Sequence, residues 1–235
     1  MTDWYKIKRV LVWQNNVEKQ IYPAGWKPNA NTLFYYPLVE NANDTSWNNR
    51  NWTASNTTFS SSNWAYFRWW YSAWSNGYVI TPTFTMWSTY TINTWLKAAE
   101  TLSWNKEIDI HRRWTWGNLY VLFCITSSMI RCTLGNWSNY GIDITSSYSL
   151  DTSWHNVVLV REWWNVKIYI DWQQLASWNS TYSSDPQYFY IGNDASNIAS
   201  YAGSSYFKDY IMENKARTAQ EISNYYNQTK SKHWL

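Results

Sequence analysis

Glycine is scarce. The chain of 235 residues holds 7 glycines, where average usage would supply roughly 16. Proline stands at 5 and cysteine at 2. A chain so poor in glycine has few residues suited to the left-handed backbone of tight turns. Charge is low as well: Asp, Glu, Lys and Arg make up 15%, with a net charge of +3. The basic residues are scattered, and the densest group is Lys6, Lys8 and Arg9. This gives no footprint for a nucleic acid. No apolar run approaches the about 18 residues of a membrane-spanning helix, so insertion into a membrane is not expected. The stretch from Met1 to Lys6 lacks the apolar core of a secretory signal. The sequence leaves the location open: if the protein reaches an extracellular surface or a virion, it does so by another route, such as assembly into a particle or a tail, or the N-terminus is incomplete.

The two cysteines fall in an expected hairpin, Leu119 to Ile125 and Met129 to Leu134. With a two-residue turn at Ser127-Ser128, Cys124 faces Arg131 and Cys132 faces Phe123, so the thiols lie on opposite faces. A three-residue turn would set them opposite each other, where a disulfide could form. Free thiols are the favoured state. Three His and two Cys show no metal-ligand spacing, and there is no nucleophile elbow or phosphate-binding loop.

What the chain does have is aromatic residues, with 21 Trp and 20 Tyr. Many of the Trp occupy turn positions. Lys167 to Ile170, then Asp171-Trp172, then Gln173 to Leu175 reads as strand, two-residue turn, strand. The favoured turn there is Asp-Gly, because both central residues need positive φ. Trp163-Trp164 and Trp69-Trp70 likewise stand where Gly-Gly would be natural, and Trp47, Trp52 and Trp64 lie in polar loop runs. A bulky side chain at such a place is sterically poor. The pattern is that of UGA codons read as tryptophan in a lineage that reads them as glycine. Trp95 and Trp154, in alternating strands, read as true tryptophan, and Trp26 is compatible with one.

Residues 5–22 suggest an N-terminal β-hairpin: a strand to Val12, a turn over Trp13 to Asn16, and a return from Val17 to Tyr22. Pro23 to Asn29 reads as a linker. Thr32 to Leu38 is a first core strand, and residues 40–65 are a long polar loop with short strands. Strands then recur at 77–81, 89–97, 106–111, 118–126, 129–134, 140–145, 154–161, 165–171 and 187–191. That spacing is typical of a sandwich. The one helical signal is Thr218 to Glu221, a capping box followed by Ile222, Tyr225 and Tyr226 at helical spacing. The expected fold is all-β: an antiparallel jelly-roll β-sandwich with a short C-terminal helix. Residues 1–28 would be hairpin, linker and attachment element, and residues 29–235 the sandwich domain.

Trp154 to Val160, the turn at Trp163-Trp164, and Val166 to Trp172 form a tryptophan strand, a glycine-type turn and a strand ending in Asp-Gly. Tyr190-Ile191-Gly192, the segment from Tyr206 to Tyr226, and the Asn43 to Asn48 loop complete the pattern. Over about residues 32–230 the chain resembles the laminin-G-like, concanavalin A-like lectin and glucanase domains. The resemblance implies a recognition module for carbohydrate or a surface protein, in which an oligomer is compatible with function. It also implies calcium as a candidate cofactor, with Asp44 on the first loop and Asp209 on the closing strand as ligands. Lys208 stands where the family has the second Asp, so Asp209 is one residue displaced, and a single step along a strand reverses the face.

The same family includes glucanases, and Glu107-Ile108-Asp109-Ile110-His111 resembles their Glu-x-Asp-x-Glu strand. Alternation puts Glu107, Asp109 and His111 on one face. With His111 in place of the second glutamate, the acid/base partner of a retaining hydrolase is missing, so no catalytic residue is assigned and the chain is read as no enzyme. Candidate ligand contacts are Tyr66, Tyr71, Tyr140 and Tyr201, since such rings stack on sugars at low entropic cost. The alternatives are a structural protein of a phage particle or surface layer and, behind it, a glycoside hydrolase.

Overall fold

The computed structural model describes residues 11–14, 17–20, 26–60, 64–67, 77–84, 88–104, 106–113, 120–136, 139–179, 189–192 and 203–233. Among them the strands form two large antiparallel sheets and a separate hairpin. The eight-stranded sheet runs β15 (Gln173–Asn179), β14 (Asn165–Ile170), β13 (His155–Glu162), β8 (Thr89–Ala98), β17 (Ser205–Glu213), β6 (Trp64–Phe67) and β5 (Thr57–Ser60). Its eighth member, β3 (Thr32–Tyr36), also pairs with β17. The seven-stranded sheet runs β12 (Asn139–Ser147), β11 (Met129–Asn136), β10 (Tyr120–Thr126), β9 (Glu107–Arg113), β16 (Tyr190–Gly192), β7 (Tyr78–Ile80) and β4 (Thr53–Ser55). The expected jelly-roll sandwich is thus the observed one.

Alternation along each strand builds the core. In β13, Val157 and Leu159 point into the space between the sheets, together with Ile92 and Leu96 of β8 and Phe123 and Ile125 of β10. Each such side chain contributes about 1.5–3 kcal/mol by leaving water. Val158 and Val160 point the other way, yet are also buried. They meet Ile222 of α1 (Ala219–Thr229), the only α-helix among the described residues. Trp95 of β8 and Tyr35 of β3 share this outer face with Tyr225 and Tyr226. One sheet is therefore covered twice, by its partner sheet and by α1. The helix begins as its sequence dictates. The Thr218 hydroxyl accepts from the Glu221 N–H at 3.2 Å, and the Glu221 carboxylate accepts from the Thr218 N–H at 2.9 Å.

The N-terminal hairpin is present, with its turn shifted. β1 (Leu11–Gln14) pairs with β2 (Val17–Gln20) so that Gln14 faces Val17. The strand thus extends through Trp13 to Gln14. The cysteine hairpin takes its two-residue form: Cys124 faces Arg131, Phe123 faces Cys132, and the two buried thiols are not joined in a disulfide. Register alone separates them.

Two hairpin turns carry unusual residues. Glu162 pairs with Asn165, leaving Trp163-Trp164 as the turn, and Trp163 has φ +54°. Ile170 pairs with Gln173, and the turn residues Asp171 and Trp172 have φ +48° and +68°. Positive φ at the first central residue is the pattern of a II′ turn, and at both residues that of a I′ turn. These are glycine positions held by tryptophan. Trp163 is 63% exposed, so its indole gains little by packing. A left-handed conformation costs a non-glycine residue about 1–2 kcal/mol. Trp163→Gly is therefore expected to raise the unfolding free energy by about 1 kcal/mol, and Trp163→Ala not to. Urea denaturation of the two variants against the parent measures the difference.

Candidate functional site

Asp44 sits in the loop after β3 and is 8% exposed. Its Oδ1 accepts from the main-chain N–H groups of Tyr35 (3.0 Å) and Ser46 (2.8 Å). Its Oδ2 accepts from the Ser46 hydroxyl (2.8 Å) and the Arg50 N–H (3.0 Å). Four donors converge on one carboxylate. That is the chemistry of a loop clamp, since a bound cation would have to compete with each donor for a lone pair.

Asp209 lies at the other end of Tyr35. The Tyr35 hydroxyl donates to Asp209 Oδ1 at 2.6 Å. The register between β17 and β8 shifts between Lys208 and Ile211, and Asp209 has φ +51°. This bulge inserts an extra residue, so Asp209 stays on the outer face instead of reversing. It is buried under α1, beside Lys208 and the ring of His233 (3.6 Å). Burial raises the Asp209 carboxyl pKa, against the opposing pull of Lys208 and the Tyr35 hydrogen bond. Burial lowers Lys208 to about 8, with Asp209 opposing it. Burial and two neighbouring lysines push His233 down to about 2, so it is neutral at pH 7. It stacks on Trp95 with centroids 4.1 Å apart. Asp44 meets the main chain of Tyr35 and Asp209 meets its ring hydroxyl. The two carboxylates do not form a joint oxygen cage, and an ammonium group already stands beside the second. These residues do not fit calcium.

The strand with the glucanase-like pattern departs from simple alternation. Cys124 faces Asp109 and Phe123 faces His111, so a bulge falls at Ile110. His111 is consequently turned into the core, its Nδ1 2.8 Å from the Tyr210 hydroxyl and its ring against Phe189. The expected common face is broken. Glu107 and Asp109 remain near the Cys124 thiol, with ligand atoms within 4.8 Å of one another. Cys124 Sγ lies 3.7 Å from Glu107 Oε2.

Of the tyrosine candidates, Tyr66 is half-buried on β6 and stacks across the strands on Tyr206, with centroids 4.8 Å apart. Tyr140 lies in β12, opposite Gly135, and its side chain is outside the described residues. Tyr71 and Tyr201 are also outside them. Of the four, only Tyr66 has a side chain among the described residues.

Two polar groupings escaped the sequence reading. Arg217 Nε donates to Glu213 Oε2 at 2.5 Å, with both side chains about 5% exposed. Its Nη1 and Nη2 are buried and find no hydrogen-bond partner among the described residues. An unmet buried donor costs about 1–3 kcal/mol. No local motif marks this pair, which depends on the chain turning between β17 and α1. The second grouping is His155, which bridges Asp171 (2.7 Å) and Asp151 (3.1 Å). The Asp171 in the glycine-type turn was the signal for it.

A family model described as the concanavalin A-like lectin/glucanases superfamily matches residues 72–223. The chain belongs to this superfamily. No curated protein matches the sequence. Among solved structures, the botulinum neurotoxin serotype D binding domain aligns with a TM-score of 0.67 at 14% identity, over 84% of this chain and 51% of that one. A botulinum neurotoxin type C structure, described as dependent for cell entry on two ganglioside molecules, aligns with a TM-score of 0.68 at 15% identity over 85% of this chain. The binding domain of Paraclostridial Mosquitocidal Protein 1 gives 0.64 at 14% identity over 84% of this chain. The chain spans about half the length of each of these structures. At such identities the likeness is one of fold. The superfamily holds lectins and glucanases alike, so membership leaves binding and catalysis to be separated by the site.

His155 gives the superfamily fold a pH-dependent tie. Burial favours its neutral form, but hydrogen bonds and charge from Asp171 and Asp151 outweigh burial and raise its pKa. A raised folded-state pKa stabilises the fold fully below the unfolded value of about 6.5 and loses that contribution as pH rises through the folded value. The urea midpoint is expected to fall as pH climbs across this window. His155→Gln should remove that part of the dependence, and an unchanged slope in the variant would assign it to other groups.

Proposed function

We propose that the chain is a non-catalytic recognition module whose ligand is a carbohydrate or a protein displayed on a surface. The observation that carries this reading is the bulge at Ile110. It turns His111 into the core, so that the carboxylate left beside Glu107 on this strand is Asp109, within 4.8 Å of it. A retaining mechanism needs two carboxyl groups about 5 Å apart across the scissile bond, and Asp109 is 3% exposed. The neurotoxin binding domains that share the fold support the reading, one described with two gangliosides and another in complex with rat synaptotagmin II. A printed glycan array is the direct test, with retained binding and no turnover of β-glucans as the expected outcome. Hydrolysis that disappears in Glu107→Gln would overturn it in favour of a glycosidase. A role in assembling a phage particle or surface layer predicts instead that deletion of residues 1–28 abolishes incorporation.

We also infer that several tryptophans of this sequence stand at glycine positions of the native protein, through a UGA codon read as glycine. Trp163 and Trp172 support this by their positive φ. Trp52 supports it differently. It is buried, its ring centroid lies 3.6 Å from that of Tyr36, and its indole N–H has no partner among the described residues. Aromatic pairs ordinarily pack with centroids about 4.5–7 Å apart, so this position is overfilled. Trp95, by contrast, stacks nearly parallel to Tyr226 (5.5 Å) and His233 (4.1 Å) and has its indole N–H met by the Thr229 hydroxyl, and Trp154 lies 5.9 Å from His233. The exposed Trp47, Trp104, Trp163, Trp164, Trp172 and Trp178 would then form no ligand platform. Peptide masses from native protein decide it: glycine at 52, 163 and 172 with tryptophan at 95 and 154 is expected. Tryptophan at all five would sink the inference.

A further inference from the structure

Three side chains of metal-ligand type meet on the outer face of the seven-stranded sheet, drawn from two strands. Phe123 and Ile125 of β10 point into the core between the sheets, so Cys124 between them points outward. Asp109 of β9 pairs directly with Cys124, and Glu107 pairs with Thr126, two residues further along β10. Directly paired residues share a face, as do residues two apart on one strand. The Glu107 and Asp109 carboxylates and the Cys124 thiol are thereby brought together, while the bulge at Ile110 takes His111 away from them. Their ligand atoms all lie within 4.8 Å of one another, and Cys124 Sγ is 3.7 Å from Glu107 Oε2. Spacing along the chain conceals this group, because 17 residues separate Glu107 from Cys124.

Burial sets this group apart from an ordinary acidic surface. Asp109 is 3% exposed, Cys124 is fully buried, and Glu107 is half-buried at the rim. Like charges gathered away from water raise the cost of ionising each other. Charge balance points to a counter-ion. Arg131 of β11 pairs with Cys124 from the opposite side, so one guanidinium side chain belongs to the same face. Two carboxylates and a thiolate carry three negative charges, Arg131 supplies one positive charge, and a divalent cation brings the sum to zero.

The donor set narrows the ion. Calcium and magnesium take oxygen ligands, whereas thiolate selects softer metals. Monovalent copper favours sulfur alone, and zinc accepts sulfur and carboxylate oxygen together. Tetrahedral zinc bonds place sulfur and oxygen ligands about 3.5 Å apart and two oxygens about 3.3 Å apart. The Cys124–Glu107 separation of 3.7 Å is close to the first value. The other separations, none above 4.8 Å, close with at most about 1.5 Å of side-chain movement. We propose that Glu107, Asp109 and Cys124 form a binding site for a zinc-type divalent cation, with a water in the fourth position. On binding, the Cys124 S–H bond breaks, a sulfur–metal bond forms, and the proton leaves to solvent. No electron is transferred. The site is separate from the Asp44 and Asp209 positions, which do not fit calcium.

Cobalt(II) is the probe, because its bond to a thiolate gives a near-ultraviolet charge-transfer absorption that oxygen and nitrogen ligands do not give. Titration of the full reduced chain should produce this band, saturating at one equivalent. Zinc should displace the cobalt, and calcium should not. The chain has two cysteines, and Cys132 points into the core on the other face of the sheet. Cys132→Ala should therefore keep the band and Cys124→Ser abolish it. Glu107→Gln and Asp109→Asn should each weaken zinc binding at least about tenfold in calorimetry. Cooperative thermal melts show that the variants fold. If Cys124→Ser fails to melt cooperatively, the Cys132→Ala chain decides alone, since Cys124 is then its single thiol. Absence of the band from the parent chain would overturn the proposal, as would a band that survives Cys124→Ser or vanishes in Cys132→Ala. Displacement by calcium would overturn the choice of ion, and undiminished affinity in both carboxylate variants would overturn the ligand set. None of these results bears on the recognition module, which the glycan array tests separately.

Discussion

The main chain of β17 changes partner on one edge at Asp209. Ser205 to Phe207 pair with β6, and Tyr210 to Glu213 pair with β3, while the opposite edge stays on β8 throughout. The bulge makes this division feasible, since a left-handed residue at 209 bends the strand and lets two short strands share one edge. The same residue takes the Tyr35 hydroxyl as a hydrogen-bond partner, which ties β3 to the bulge by side chain as well as main chain. Loss of that carboxylate would leave a buried hydroxyl unmet and the bulge unsupported.

The outer layer depends on this arrangement. Because Lys208 and Asp209 both stay outside, the surface under α1 is partly ionic, and the C-terminal segment must bring matching groups. It does so with neutral His233 stacked on Trp95, and with Trp95 Nε1 donating to the Thr229 hydroxyl at 3.2 Å. Arg217 and Glu213 close the other end of the layer. The two sheets of the sandwich meet through apolar side chains alone over most of their area, whereas the helix meets the sheet through rings and a few buried polar pairs.

Much of this was legible in the residues. Asp171-Trp172 announced a I′ turn by its first member and its position, even with the wrong second member. Thr218 and Glu221 announced the start of α1 by spacing. Nine of the ten strands from β7 to β16 followed from strand-like runs at sandwich spacing, and β15 from the turn that precedes it. What escaped was whatever depends on a bulge. His111 reads as an outward residue by parity, and one extra residue in β9 sends it inward. Asp209 reads as reversed relative to Lys208, and a bulge keeps it on the same face. Trp52 lies in a polar run, yet its neighbours Phe34, Tyr36 and Tyr210 enclose it. Arg217 with Glu213 was unreadable for a different reason: two charges four apart mean little until the backbone between them is known.

The pairing of β3 with β17 also sets the order of events during synthesis. Tyr35 and Asp209 are 174 residues apart. At about 5–20 residues per second, β3 waits roughly ten to thirty seconds for its partner to be made. Throughout that interval Phe34, Tyr35 and Tyr36 form an apolar strand with no edge to dock on, whereas β6 can pair at once with β5 and leaves only its other edge open. Their vulnerability belongs to the nascent chain alone, because in the finished fold all three aromatic residues are fully buried. Whatever holds this segment out of misassembly on the ribosome acts on a surface that the folded protein never presents.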